Sequence, residues 1–140
     1  MSAVACPACA GLWPAPEQRI GDCGSTVAYL HDDQFFPGWT VLLLKRHATE
    51  LWQLDPGERA TLIEEVSRMA RALGTAFEAA KLNYELLGNQ IGHIHWHLVP
   101  RRTDDPAPRL PVWSVEHAPR RLSADEIAAR VATIRAHLGS

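Results

Sequence analysis

Three histidines dominate the chemistry that this chain could perform. They alternate with bulky apolar residues over seven positions, in the order His93, Ile94, His95, Trp96, His97, Leu98, Val99. Strict alternation is typical of a half-buried strand, so we expect the imidazoles to share one face and the apolar side chains the other. Alternate Cα atoms of a strand lie about 6.6 Å apart, so two neighbouring imidazoles could bind one metal ion or one phosphate.

Two kinds of chemistry use such a cluster of imidazoles. Neutral imidazole is a good ligand for zinc or iron, so a metal site is one interpretation. Alternatively, an imidazole nitrogen can attack an electrophilic phosphorus and leave again, while neighbouring imidazoles and amides neutralise the phosphate oxygens. The sequence contains neither the His-Glu-x-x-His motif of zinc protease helices nor the His-x-Glu motif of zinc deaminases.

Short apolar runs bounded by turn residues predict the strands that position the histidines. A first strand is expected to end near His31, and a continuous apolar run at residues 40–44 predicts a buried second strand. A third strand is expected at residues 82–87, followed by a turn at Gly88-Asn89. Because this connection is short, we expect the histidine strand to pair with the third strand in an antiparallel arrangement.

Capping residues and apolar spacing predict two helices. Asp55 is expected to cap a helix that begins at Pro56, and apolar residues then recur at spacings of three and four to about Ala80. Ser123 is expected to cap a C-terminal helix that ends near Leu138. Both helices would present an apolar stripe to the core.

The composition is that of a globular chain of ordinary size. The chain has 140 residues, of which 46% are hydrophobic, and a formal net charge of −2. We expect one domain over residues 1–140, with an irregular N-terminal arm at residues 1–18. The charge argues against a nucleic-acid polymer as partner. No apolar run reaches the roughly 18 residues of a spanning helix and no signal peptide is recognisable, so we expect a cytoplasmic protein without a membrane partner.

Further motifs flank the three histidines from Cys6 to about Trp113. They are Pro37-Gly38 before the second strand, Lys45-Arg46-His47 at its end, Leu54-Asp55-Pro56 at the helix start, Leu87-Gly88-Asn89 before the histidines and Pro100-Arg101 after them. Together with the His-φ-His-φ-His-φ-φ pattern, in which φ is apolar, these motifs resemble the histidine triad (HIT) family of nucleotide hydrolases and nucleotidyl transferases. The flanking motifs resemble a bacterial branch described as diadenosine-tetraphosphate hydrolase-like.

The resemblance implies a fold and a reaction. The implied fold is α+β, with an antiparallel sheet of about five strands packed against a long helix and a C-terminal helix after it. The implied reaction is hydrolysis of a phosphoanhydride or phosphoramidate bond in a (di)nucleoside phosphate through a covalent nucleotidyl-histidine. The resemblance also implies a homodimer, a small-molecule nucleotide substrate and no organic cofactor.

The resemblance further implies roles for single residues. His95 would be the catalytic nucleophile, and His97 would be a second catalytic residue that contacts the phosphate. Transferases of the wider superfamily carry Gln where this chain has His97, which favours hydrolysis. Asn89 would bind substrate near the scissile bridge, and Asp32 would bind a ribose hydroxyl.

The chain departs from the family pattern at two places. The family commonly has Pro-Gly-His where this chain has Trp39 after Pro37-Gly38, and the loop at residues 88–92 is short. Two other interpretations stay open from the sequence. One is a nucleotidyl transferase or phosphorylase acting on dinucleoside polyphosphates, and the other is a non-catalytic module that binds a nucleotide or a metal.

The N-terminal arm carries a Cys-x-x-Cys motif at Cys6 and Cys9. This spacing is typical of one half of a structural zinc site, although a redox pair has the same spacing. The resemblance implies that His47 and His93 complete a closed Cys₂His₂ site for structural Zn²⁺. We expect no special role for three other histidines, His31, His117 and His137, and expect Cys23 to pack as a small apolar residue. For Trp113 we favour a packing role over the alternative that it covers the site or a partner subunit.

Overall fold

The computed structural model describes residues 5–139 of the chain. Seven regular elements and three short 3₁₀ turns follow one another: Pro16–Gln18 (3₁₀), β1 (Arg19–Asp22), β2 (Thr26–Leu30), β3 (Thr40–Leu44), Leu51–Gln53 (3₁₀), α1 (Pro56–Ala76), β4 (Lys81–Glu85), β5 (His95–Arg101), Val112–Ser114 (3₁₀) and α2 (Ala124–Leu138). The strands form one antiparallel sheet in the order β1-β2-β3-β5-β4. The predicted α+β architecture is confirmed.

The middle of the sheet positions the histidine strand. All five residues of β3 are buried, as the continuous apolar run predicts. β3 pairs with β5 so that Val41 lies opposite His97 and Leu43 opposite His95. β4 pairs with the other edge of β5, which confirms the predicted antiparallel pairing. The regular strand begins at His95 and not at His93, because Ile94 instead bonds to the backbone at Leu44 and Ala48.

Helix α1 begins where the sequence predicts and ends earlier. The Asp55 side chain accepts from the Glu58 amide at 2.8 Å, and the Glu58 carboxylate accepts from the Asp55 amide at 3.1 Å. The helix ends at Ala76 and not near Ala80, because Glu78 adopts a positive φ of 50° and turns the chain. Ala80 already donates its amide to the sheet at the Arg101 carbonyl.

Strand β1 was missed by the sequence analysis. It has four residues and one buried apolar side chain, Ile20, and a register irregularity lies between Arg19 and Gly21. Such a strand shows no alternation long enough to detect. The predicted irregular arm therefore ends in a 3₁₀ turn and leads directly into the sheet. Residues 1–4 of that arm, and Ser140, lie outside the described residues.

Both helices pack on one face of the sheet and leave the other face to the histidines. The main core joins the sheet to the helices through fully buried side chains, among them Ile20, Leu30, Leu42, Leu62, Met69, Leu73, Leu98 and Ile134. The capping box of α2, formed by Ser123 and Glu126, is as predicted. Within residues 5–139, no helix is long and apolar enough to cross a membrane.

Candidate functional site

The histidine face of β5 is enclosed, and it is not the wet surface that alternation suggests. Only 5% of His95 and 6% of His97 is exposed. Their rings meet edge to face with centroids 5.1 Å apart. Neighbouring aromatic side chains cover them, so each ring nitrogen must bond to a specific partner or face the cavity.

A hydrogen bond to one ring nitrogen of His95 determines the state of the other ring nitrogen. Its Nδ1 lies 2.8 Å from the backbone carbonyl oxygen of His93. A carbonyl only accepts, so Nδ1 carries the proton and Nε2 carries the lone pair. Burial lowers the pKa of His95 below its ordinary value, although the bond to the His93 carbonyl opposes this shift. The imidazole is thus neutral, with the lone pair on Nε2.

His97 has the opposite arrangement. The indole Nε1–H of Trp39 donates to Nδ1 of His97 at 3.1 Å. Nδ1 is therefore the acceptor, and the proton of a neutral ring resides on Nε2. Burial, with smaller contributions from His95 and His31, lowers the pKa of His97 to about 3. His97 thus offers an N–H donor where His95 offers a lone pair.

His31 belongs to this cluster, although the sequence analysis expected an ordinary surface histidine. Its ring stacks on Trp39 with centroids 3.9 Å apart and an interplanar angle of 4°. It also lies edge to face with His97 at 5.7 Å. Burial lowers the pKa of His31, so a third neutral imidazole is present. The only sequence signal is its position directly after β2, which lies beside β3.

A cavity of about 280 Å³ opens over these rings. Its walls are aromatic, apolar and amide side chains with one glycine in the adjoining loop: Trp13, His31, Leu87, Gly88, Asn89, Gln90, Ile91, His95, His97 and Trp113. Among these described lining residues there is no lysine, arginine or carboxylate. An anion in the cavity would therefore be held by N–H donors and not by a cationic side chain.

Two tryptophans that the sequence analysis did not assign to the site form part of this wall. Trp13 packs edge to face on His95 with centroids 4.9 Å apart. Trp113, for which packing was favoured over covering the site, contacts His97 with ring centroids 5.1 Å apart, and its Nε1–H donates to Glu85. An isolated tryptophan in a proline-rich segment carries no pattern from which this role could be read.

The two predicted substrate-binding residues lie in different cavities. Asn89 lines the cavity over His95. Asp32 lines a neighbouring cavity of about 210 Å³, which shares His31 with the first. The Asp32 carboxylate is half exposed and lies 3.9 Å from the guanidinium of Arg121. The structure therefore places Asn89 in the same cavity as His95 and His97, whereas Asp32 lies in the neighbouring cavity.

A second cluster lies at the start of the histidine segment. The ligand atoms of Cys6, Cys9, His47 and His93 all lie within 4.8 Å of one another. Nδ1 of His93 is 3.4 Å from the Cys6 sulfur and 3.5 Å from the Cys9 sulfur, and Nδ1 of His47 is 3.3 Å from the Cys9 sulfur. The two Nδ1 atoms are 3.2 Å apart. Both cysteines are free thiols.

These separations fit a tetrahedral metal site. A zinc ion with Zn–N of about 2.0–2.1 Å and Zn–S of about 2.3 Å would place its ligand atoms about 3.3–3.8 Å apart. In addition, Nε2 of His93 lies 2.6 Å from the carbonyl oxygen of Leu44. That carbonyl fixes the proton on Nε2 and directs the Nδ1 lone pair at the cluster, which is the usual support of a metal-bound histidine. The four residues that the sequence analysis named could therefore hold a metal.

The chain is similar to known proteins of one family. The HIT domain model matches residues 14–104. An HIT-like protein of Mycobacterium tuberculosis is 32% identical over 110 residues, which are 75% of each chain. A histidine triad protein from Bradyrhizobium japonicum has 34% identity and a TM-score of 0.78, with 87% of this chain and 92% of that chain covered.

Two further structures are informative. A zinc-bound histidine triad family protein from Mycobacterium smegmatis is 26% identical with a TM-score of 0.73, over 99% of this chain and 96% of that chain. A diadenosine triphosphate hydrolase from Plasmodium falciparum shares the fold at 14% identity, with a TM-score of 0.66 and coverage of 90% and 79%. From the matched domain and the similarity to these relatives, the chain belongs to the histidine triad family.

Proposed function

We propose that this protein is a nucleotide hydrolase that cleaves a phosphoanhydride or phosphoramidate bond through a nucleotidyl group carried on His95. The observation that carries the proposal is the pair of ring nitrogens at the cavity. Nε2 of His95 has a lone pair because Nδ1 donates to a backbone carbonyl, and His97 beside it presents an N–H. A nucleophile next to an oxyanion donor is the minimum needed for attack on phosphorus.

The reaction would proceed in two displacements. In the first, the lone pair of His95 Nε2 attacks the α-phosphorus, and the bond to the leaving group breaks with its electron pair. The His93 carbonyl stabilises the positive charge that develops on the ring, because it already accepts from Nδ1. In the second displacement, water attacks the phosphorus and the P–N electron pair returns to Nε2, with loss of a proton to solvent.

The residues around the cavity would orient the nucleotide. Planar walls at Trp13 and Trp113 suit a nucleobase or another aromatic group, since flat rings stack favourably. Asn89 would donate its amide to the scissile bridge. Asp32 would accept from a ribose hydroxyl if the nucleoside extends past His31 into the neighbouring cavity.

We propose that Cys6, Cys9, His47 and His93 bind one structural Zn²⁺. Four protein ligands leave no position for water, so the ion would supply stability and no catalysis. It would hold the N-terminal segment, including Trp13, against the sheet beside His95. Such thiolate ligands persist where cysteines stay reduced, which supports a cytoplasmic location.

A homodimer is also proposed. In the described chain, β4 lies at the end of the sheet order and has one edge without a partner strand. Its Tyr84 is half exposed, and an edge strand of this kind pairs readily with a second copy. Light scattering that gives twice the chain mass would support this proposal, and a monomer at micromolar concentration would contradict it.

Covalent labelling tests the proposed reaction. Enzyme in excess over a dinucleoside polyphosphate labelled at the α-phosphorus should, on rapid acid-free quenching, carry the nucleotidyl group on the peptide with His95. The variant His95→Asn keeps a polar side chain of similar size and should carry no label. Multiple-turnover rates with and without inorganic phosphate separate hydrolysis from phosphorolysis. Turnover without any labelled enzyme intermediate would contradict the proposal.

A further inference from the structure

Trp39 occupies the position where the histidine triad family commonly has a histidine. Its side chain contacts two of the histidines that line the cavity. Its side chain is 2% exposed and donates to Nδ1 of His97 at 3.1 Å. The same ring lies flat on His31 at 3.9 Å. Stacking on His31 thus fixes the indole in position, and its Nε1–H is directed at Nδ1 of His97.

The backbone before Trp39 fixes this orientation. The buried Gln34 amide donates to the carbonyl oxygens of Trp39, at 2.8 Å, and His31, at 3.0 Å. Its carbonyl oxygen accepts from the Gly38 amide at 3.0 Å. Gly38 has a φ of +91°, and a Cβ there would lie 2.5 Å from the ring of Phe77, so only glycine fits. The turn therefore has no freedom to move the indole away from His97.

An indole nitrogen donates and cannot accept. Nδ1 of His97 must therefore be unprotonated whenever this bond is formed, and the ring proton must reside on Nε2. An imidazolium carries protons on both nitrogens, so protonating His97 would break the bond and leave the buried Trp39 N–H without its acceptor. Leaving a buried donor unpaired is unfavourable, so the bond from Trp39 favours the neutral form of His97.

We propose that Trp39 is a positioning residue that holds His97 as the neutral Nε2–H tautomer, and that His97 donates a hydrogen bond to the phosphoryl oxygen without giving a proton to the leaving group. The proposal rests on the hydrolase function proposed above. A neutral imidazole that gave up its Nε2 proton would become an imidazolate, which is far too basic to form beside a phosphate.

This assignment narrows the substrate class. When His95 Nε2 attacks phosphorus, the leaving group departs with the bonding electron pair and any proton it takes must come from solvent. A phosphate oxygen leaves as a stable anion, whereas an amine nitrogen must gain a proton as it leaves. The cavity therefore favours phosphoanhydrides over phosphoramidates.

Nuclear magnetic resonance of the zinc-loaded, ¹⁵N-labelled protein tests the tautomer without any turnover. His97 should give one tautomer with the proton on Nε2. Trp39→Phe keeps a ring to stack on His31 but removes the N–H, so His97 should then populate both tautomers. Trp96→Phe is the matched control: its indole nitrogen is buried without a hydrogen-bond partner among the described residues, so the His97 signals should not change. A wild-type His97 proton on Nδ1, or an unaltered tautomer in Trp39→Phe, would overturn the proposal.

Kinetics on matched substrates test the consequence. Nucleoside monophosphate esters of phenols with graded pKa values should show kcat/KM falling steeply as the leaving phenol becomes more basic. The kcat/KM for a nucleoside diphosphate anhydride should exceed that for the corresponding phosphoramidate by about tenfold or more, which corresponds to about 1.4 kcal/mol in activation free energy. A flat dependence on leaving-group pKa would overturn the proposal, because it would require proton donation. Absence of turnover on every substrate, with the Nε2–H tautomer observed, would refute the hydrolase function and leave the tautomer assignment standing.

Discussion

The segment from His93 to His97 contributes histidine side chains to two different candidate sites. At its metal end, defined by Cys6, Cys9, His47 and His93, the His93 ring bonds to the Leu44 carbonyl through Nε2 and directs Nδ1 at two thiols. At its reaction end, defined by His95 and His97, the His95 ring bonds to a carbonyl through Nδ1 and leaves Nε2 to the cavity. The partner of one ring nitrogen thus determines what the other can do.

The two candidate sites also differ in the groups that surround their histidines. Thiol sulfurs within 3.5 Å of a lone pair suit a metal ion. An aromatic cavity with neutral imidazoles and no cationic side chain among its described lining residues suits a phosphate ester. A shift of two residues, from His93 to His95, is therefore enough to change the proposed role of a histidine from metal ligand to nucleophile.

The largest expected effect is at His95, the proposed nucleophile. His95→Asn should lower kcat by at least about 10⁴-fold, since removal of a covalent nucleophile costs several orders of magnitude. Zinc content and melting temperature should stay at the wild-type values, because His95 is not a ligand of the metal end. Steady-state rates, elemental analysis and calorimetry on one preparation check this. Retention of a tenth of the activity would contradict the assignment.

The converse variant should affect the other end. His93→Ala should lose the metal and lower the melting temperature, because a ligand that binds only the folded state stabilises it. Removing zinc that is present at about 1,000 times its Kd would cost about 4 kcal/mol of unfolding free energy. Chelation of the wild type should reproduce this loss, and metal binding should weaken as pH falls because the ligands take up protons. A His93→Ala protein that lacks metal but melts at the wild-type temperature would contradict the proposal that a metal bound at these four residues stabilises the fold.

A smaller effect is expected at His97, the proposed hydrogen-bond donor to the phosphoryl oxygen. His97→Ala should lower kcat by about 10²–10³-fold, the usual cost of one such donor, and should leave KM nearly unchanged. Zinc content should be that of the wild type, which distinguishes the variant from His93→Ala. A His97→Ala protein that loses zinc would show that the two ends are not independent.

The smallest effects concern substrate contacts. Asn89→Ala should raise KM or lower kcat by about tenfold, which corresponds to the loss of one hydrogen bond near the reacting centre. Asp32→Ala should act mainly on KM and by less, because Asp32 lies half exposed in the neighbouring cavity. Equal effects on kcat from both variants would contradict this placement.

The sequence predicted the elements with strong local signals. The run of four apolar residues in β3 and the capping boxes of α1 and α2 indicate a strand and two helices without tertiary information. The end of α1 was missed because the apolar spacing continues to Phe77, while the positive φ at Glu78 depends on the chain joining the sheet. β1 was missed because a short, irregular strand has too few alternating positions.

The sites were predictable where residues form a motif. The histidine alternation and Cys6-x-x-Cys9 stand out alone, but joining Cys6 and Cys9 to His47 and His93 required the family resemblance. His31 and Trp13 were missed because their roles arise from distant contacts, with Trp39 and His95 respectively. The tautomer of each histidine likewise depends on a partner that spacing does not reveal.

One crystal structure tests the central claim most directly: zinc-loaded protein bound to a non-hydrolysable dinucleoside polyphosphate, with data collected at the zinc absorption edge. The anomalous peak that marks the zinc ion should lie at bonding distance from Nδ1 of His93 and Nδ1 of His47. The α-phosphorus should lie about 3–3.5 Å from Nε2 of His95. Zinc bonded to His95 or His97, or an α-phosphorus that approaches His93 more closely than His95, would contradict the division of this segment into a metal end and a reaction end.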